Sequence, residues 1–129
     1  LATSDVLAWI SFSCADGQHI SDGTPVAECA SLLDTCDHVF AVGVNCTAPQ
    51  YVRSLVEQIR VAAPNKRIVV YPNSGQSYDV ERRTWTGQSN AADFGQLAKE
   101  WFAAGATLIG GCCQTGPDHI RAIRDSVFR

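Results

Sequence analysis

The chain has 129 residues, 46% of them hydrophobic and 18% charged, so it can bury a core, and neither disorder nor a low-complexity tail describes it. Ten Lys and Arg against thirteen Asp and Glu leave a net charge of −3, which supplies no basic field for phosphates and argues against nucleic acid as a partner. No apolar run approaches the roughly 20 residues that span a membrane, and Leu1-Ala2-Thr3-Ser4-Asp5 lacks the features of a signal peptide, so the sequence reads as soluble, unexported and cytoplasmic.

Val6 to Phe12 form the first of four short, apolar, β-prone runs. Thr24 as N-cap and Pro25 at the first helical position then signal a helix carrying Val26, Ala30 and Leu33. The second run is His38 to Val44, followed by Val52, Leu55, Val56 and Ile59 at the i, i+3, i+4, i+7 spacing of one helical face. Arg67 to Tyr71 make the third run, and Tyr71-Pro72-Asn73-Ser74-Gly75 closes it with turn chemistry that also sets an amide and a hydroxyl at the strand's end. Tyr78, Asp79 and Trp85 extend this into a loop long enough to serve as a lid or binding loop. Phe94, Leu97 and Trp101 mark a third helix, Ala106 to Gly110 the fourth run, and Ile120, Ile123 and Val127 a last helix.

Near-continuous apolar strands separated by amphipathic helices are parallel strands covered by helices, the α/β class. A small open doubly wound sheet and half of a (β/α)8 barrel, whose full form takes about 250 residues, both fit the pattern, and periodicity does not separate them. No linker or charge block divides the chain, so residues 1–129 read as one unit. Its leading Leu and its lack of Met suggest a piece of a longer protein.

Six cysteines would suit a secreted disulfide scaffold, but this core looks sufficient without staples. Cys46 closes the second run and Cys112-Cys113 the fourth, at the carboxyl ends of strands, where parallel α/β proteins place functional groups. Adjacent residues on a regular strand point to opposite faces, so both thiols reach one ion only where the chain is turning. Gly110-Gly111 and Gly116-Pro117 permit such a turn. Three thiolates with one open position describe a catalytic zinc site, since a structural site normally takes four protein ligands. Without a CxxC partner the spacing on its own suits buried free thiols better than a metal, and both readings stay open. Cys29 and Cys36 read as packing residues near one helical face, and Cys14 as a packing or loop residue. The sequon Asn45-Cys46-Thr47 is discounted at a strand end, and His19, His38 and His119 have no metal-like spacing.

Taken in order, GVNC at 43–46, VVYPNSG at 69–75, Tyr78-Asp79 with Trp85, and LIGGCCQTGP at 108–117 resemble the carboxyl-terminal half of the homocysteine S-methyltransferase family. SDGTP at 21–25, after a strand ending in Ser11-Phe12, fits the same pattern. The resemblance implies a (β/α)8 TIM barrel, of which these four βα units would be strands five to eight. It implies Zn2+ held by Cys46, Cys112 and Cys113, with Asn45, Asn73, Ser74, Ser11 and Gly111 around the substrates. Homocysteine is the implied methyl acceptor. The VVYPNSG form is more similar to members using S-methylmethionine or S-adenosylmethionine than to betaine-dependent ones, which makes the implied donor a sulfonium. Gln76 and Gln114 depart from the Glu and Arg of many relatives. The first four strands have no counterpart in the sequence, so the chain is expected to need the missing amino-terminal half-barrel or a complementary chain, because half a barrel carries two unpaired edges. Two rivals are a split or inactive half-barrel acting only as a zinc-binding or assembly module, and the homocysteine module of a larger methionine synthase.

Overall fold

The structure, a computed structural model, describes residues 5–87 and 90–129. Residues 1–4, which carry most of the amino-terminal reading above, lie outside them. In chain order the elements are β1 (Ala8–Phe12), α1 (Val26–Asp34), β2 (Val39–Asn45), α2 (Pro49–Ala62), β3 (Arg67–Tyr71), β4 (Ser77–Asp79), β5 (Thr84–Thr86), α3 (Ala91–Ala104), β6 (Leu108–Ile109) and α4 (Pro117–Ile123). The main sheet runs β1-β2-β3-β6 with every neighbouring pair parallel, and β4 and β5 form a separate antiparallel hairpin. This is the expected α/β architecture.

Strand alternation decides which side chains meet the helices. Val42, Val44, Ile68 and Val70 are buried against α1, α2 and α3, where Val26, Leu55, Ile59, Phe94 and Trp101 complete the core. Phe94 and Trp101 pack edge to face with ring centroids 5.2 Å apart. Consecutive helices lie side by side, α1 on α2, α2 on α3 and α3 on α4. They therefore form one layer over one face, whereas a doubly wound sheet would need helices on both. The other face is concave: Trp9, Val69, Leu108 and Ile120 line a hollow of about 480 Å³.

Within β2, Ala8 pairs with Val39 but Trp9 with Ala41, so Phe40 bulges out of register and meets Trp9 edge-on at 6.1 Å. Gly43 sits where β2 crowds β3, since a Cβ there would overlap the carbonyl oxygen of Val69.

Four expectations change. Val6 and Leu7 are exposed and precede β1. Thr24 does not cap α1; its amide is held by Asp22 Oδ1 at 2.8 Å and its carbonyl accepts from Ile20. Pro25, extended at ψ 133°, is the residue before the helix. The long loop after β3 contains the β4–β5 hairpin, whose turn is closed by the amides of Glu81 and Arg82 donating to Asp79 Oδ1. The last helix is not one regular apolar stripe: α4 passes into a wider π-helical turn over Arg124–Phe128, and Ile120 is half-exposed toward the concave hollow while Ile123 is buried. Among the described residues no helix is long and apolar enough to cross a membrane.

Candidate metal centre

β2, β3 and β6 end side by side, and backbone hydrogen bonds fasten the segments that follow them. Cys46 N donates to Tyr71 O at 3.2 Å, Asn73 N to Thr47 O at 3.0 Å, Cys112 N to Pro72 O at 2.8 Å and Ser74 N to Cys113 O at 3.1 Å. Thr47, 1% exposed, adds a side-chain tie: its hydroxyl donates to Asn45 O and accepts from Cys14 N. Three loops thereby share one backbone frame, which the carboxyl-end position of these residues alone did not reveal.

Cys46 leaves β2 in the left-handed region at φ 46°, a conformation costly for a residue with a Cβ. Gln114 turns the other segment at φ 61°. Gly110 and Gly111 are not in left-handed conformation, so the expectation that they make the turn through glycine's freedom is corrected. Gly111 has a different reason to lack a side chain, because a Cβ would lie 2.7 Å from Cβ of Thr115 and closer still to its hydroxyl. That hydroxyl donates to Cys112 O at 2.7 Å, holding the vicinal pair's backbone.

The frame brings together the sulfurs of Cys46, Cys112 and Cys113, all within 4.8 Å of one another. Sulfurs bound to one tetrahedral zinc at about 2.3 Å each lie roughly 3.8 Å apart, and the 4.0 Å between Cys112 and Cys113 suits that arrangement. The donor set therefore fits a thiophilic metal. The sulfurs of Cys46 and Cys112 are in contact, with Cα atoms 5.6 Å apart. Cys14, Cys29, Cys36 and Cys113 are free thiols.

The cysteines read as packing residues stay out of the cluster. Cys14 and Cys36 pack against the core, and burial pushes the Cys14 thiol up to about 11, opposed by its hydrogen bond with Thr47. Burial also raises Cys29. His19 is held by Asp16 at 3.0 Å, and His119 Nδ1 accepts from Gly116 N at the start of α4.

The remaining expected residues lie near strand ends or in the segments that follow them. Asn45 is the last residue of β2. Ser74 is buried, its amide bound to Cys113 O. Asn73 has its Oδ1 buried with no hydrogen-bond partner among the described residues, a donor-seeking oxygen that sequence could not disclose. Ser11 is on β1, its hydroxyl 2.5 Å from that of Tyr71, to which Trp9 Nε1 also donates at 3.3 Å. Tyr71 and Trp9 were not among the expected site residues; a tyrosine at the very end of a strand was the available signal.

Comparisons with known proteins fit this geometry. The family model described as homocysteine S-methyltransferase matches residues 1–127. The chain belongs to the homocysteine S-methyltransferase family. It is 50% identical over 119 residues to homocysteine S-methyltransferase YbgG of Bacillus subtilis (strain 168), covering 92% of this chain and 38% of that one. It is 46% identical over 123 residues to homocysteine S-methyltransferase 4 of Zea mays, covering 93% and 36%. Crystal structures of the homocysteine methyltransferase MmuM from Escherichia coli superpose with TM-scores of 0.75 for the oxidized form and 0.73 for the metallated form. Those matches have 35% and 34% identity and cover 92% of this chain, with 36% and 35% of theirs. The chain thus spans little more than a third of the length of the relatives it matches.

Proposed function

We propose that this chain is the carboxyl-terminal half, strands five to eight, of a (β/α)8 barrel that transfers a methyl group from a sulfonium donor, S-methylmethionine or S-adenosylmethionine, to the sulfur of homocysteine, giving methionine. The single observation that carries the reading is the convergence of three thiols from two strand ends within 4.8 Å. The single layer of helices and the open concave face support the half-barrel, since an amino-terminal set of four βα units would close both.

Cys46, Cys112 and Cys113 would hold Zn2+. A free thiol with pKa near 8.5 is mostly protonated at neutral pH, and bound zinc supplies the means of keeping the substrate sulfur deprotonated. The chain's part is positional: the backbone frame presents the three sulfurs together, and the rim residues Asn45, Asn73, Ser74, Ser11 and Gly111 surround the place where the substrates meet. A sulfonium donor departs as a neutral thioether, so no general acid is required, and none of the three histidines lies in the cluster. Rate then comes from holding the nucleophile and the methyl carbon in line.

Coverage of little more than a third of its relatives favours a second reading, a zinc-binding half that only assembles with a complement. Co-expression with the amino-terminal four βα units of the Bacillus subtilis relative separates the two. Methionine formation that depends on Cys46, Cys112 and Cys113 is the expected result; an assembled, zinc-loaded complex inert toward both donors supports the second reading.

A further inference from the structure

The two segments that carry the sulfurs share a device outside the three cysteines. Cys46-Thr47-Ala48-Pro49 leads from β2 into α2, and Gln114-Thr115-Gly116-Pro117 leads from β6 into α4. Each begins with a residue in the left-handed region, Cys46 at φ 46° and Gln114 at φ 61°, and ends on a proline that opens the helix. Among the described residues the one other non-glycine in that region is Arg83, in the hairpin turn. This costly conformation is therefore concentrated at the sulfur-bearing turns.

A threonine hydroxyl closes each turn. Thr47 Oγ1 donates to Asn45 O at 2.9 Å, bridging Cys46, and accepts from Cys14 N at 3.0 Å, while Thr47 O accepts from Asn73 N at 3.0 Å. One residue, 1% exposed, thus joins the segments that follow β1, β2 and β3. Thr115 Oγ1 donates to Cys112 O at 2.7 Å, and its amide reaches the same oxygen at 3.2 Å, so the turn through Cys113 and Gln114 is closed twice. Neither hydroxyl serves the helix ahead of it: α2 and α4 start after Ala48 and Gly116, and both bonds run back toward the strand. Gly111 gives up a side chain to leave Thr115 room.

Resting on the metal centre proposed above, we propose that Thr47 and Thr115 are positioning residues for it: their hydroxyls hold the two left-handed turns in the one form in which Cys46, Cys112 and Cys113 meet. Neither threonine touches the ion. A bond across the turn offsets the strain of a left-handed residue where it arises, so the sulfurs are gathered before a metal enters. Without the hydroxyl the turn relaxes among several conformations, of which a fraction presents the sulfurs together, and metal affinity falls by that fraction. Groups that orient metal ligands in this way are commonly worth tenfold to a hundredfold in affinity.

The test measures Zn2+ dissociation constants of the reduced chain by competition with a chromophoric chelator, and records the absorption bands of the Co2+-loaded chain. Thr47→Val and Thr115→Val keep the branched shape and remove the hydroxyl; Thr47→Ser and Thr115→Ser keep the hydroxyl and remove the methyl. The expected result is about tenfold or more weaker Zn2+ binding in each Val variant, with weakened or shifted Co2+ bands at saturation, and parental affinity and bands in each Ser variant. The buried Thr47→Ser should melt below Thr47→Val and still bind metal more tightly, a crossing of stability and affinity that a merely structural threonine would not produce. Parental Zn2+ affinity in both Val variants, or Ser variants as weak as Val, overturns the assignment. Thr115 is half-buried, so its pair of variants decides the matter alone if Thr47→Val does not fold. The parent chain separates this failure from the larger one: if it binds Zn2+ and the Val variants match it, only the threonine roles fall, and if it takes up no Zn2+, the metal centre falls with them.

Discussion

The hydroxyls of Ser11 and Tyr71 lie 2.5 Å apart, joining β1 to β3 across the intervening β2. Tyr71 at the same time accepts the Cys46 amide on its backbone carbonyl, so one residue ties the first strand to the sulfur cluster. Tyr71→Phe keeps the ring and the backbone contact but removes the bond to Ser11 and the acceptor for Trp9. The expected loss is about 1 kcal/mol in denaturant unfolding. Ser11→Ala should cost a comparable amount, and the double variant less than the sum, because both changes delete the same bond. Strict additivity would show that the two hydroxyls are not coupled.

The sulfurs of Cys46, Cys112 and Cys113 crowd one place. Under reducing conditions Cys46→Ala, Cys112→Ala and Cys113→Ala should each abolish stoichiometric zinc by metal analysis after dialysis, and Cys29→Ala and Cys36→Ala should not. Retention of one zinc per chain in any of the first three removes that residue from the ligand set.

Because the three sulfurs lie within 4.8 Å of one another, a mild thiol oxidant should release zinc from the parent chain, and a reductant should restore it. Prior zinc loading should shield Cys46, Cys112 and Cys113 from alkylation. Mass spectrometry that finds all six cysteines labelled at one rate with zinc present would contradict the shared-site arrangement.

Cys14 offers a pH dependence with a definite sign. Burial raises its folded-state thiol from an ordinary 9.0 to about 11. Below pH 9 it is protonated folded and unfolded, and its contribution is intact. As pH rises toward 11 the unfolded chain ionises first, so that contribution is lost through this window. Cys14→Ser should flatten the decline in unfolding free energy between pH 9 and 11, and identical slopes in parent and variant would assign the decline to other groups.

At Gly43 the backbone of β3 leaves no room, a Cβ being forced onto the carbonyl oxygen of Val69. Gly43→Ala should cost about 3 kcal/mol or more, read as lost soluble yield or a lowered denaturation midpoint. Parent-like stability would mean that β2 and β3 can separate without penalty.

What was legible in the sequence was what local pattern dictates. Val52, Leu55, Val56 and Ile59 marked α2 because one face of it is buried, and Val69 and Val70 marked β3 because the strand is covered on its helix side. Cys46 and Cys112-Cys113 could be placed at strand ends by counting, but their convergence across the intervening β3 depends on the backbone bonds that join the segments after β2, β3 and β6. The β4–β5 hairpin was missed because each strand has only three residues, too few for alternation to register. Thr24 was misread because its chemistry suits a cap equally well as the Asx turn that Asp22 makes. The Ser11–Tyr71 bond and the unpartnered Asn73 Oδ1 depend on the packing of distant segments, which no local window contains.

The segments bearing the three sulfurs are fastened to one another almost wholly through main-chain atoms. Mutation can therefore rewrite the neighbouring side chains, Thr47 and Thr115 apart, while the positions of the three sulfurs hold. A lineage built on such a scaffold is free to diversify its chemistry at the periphery without rebuilding its centre.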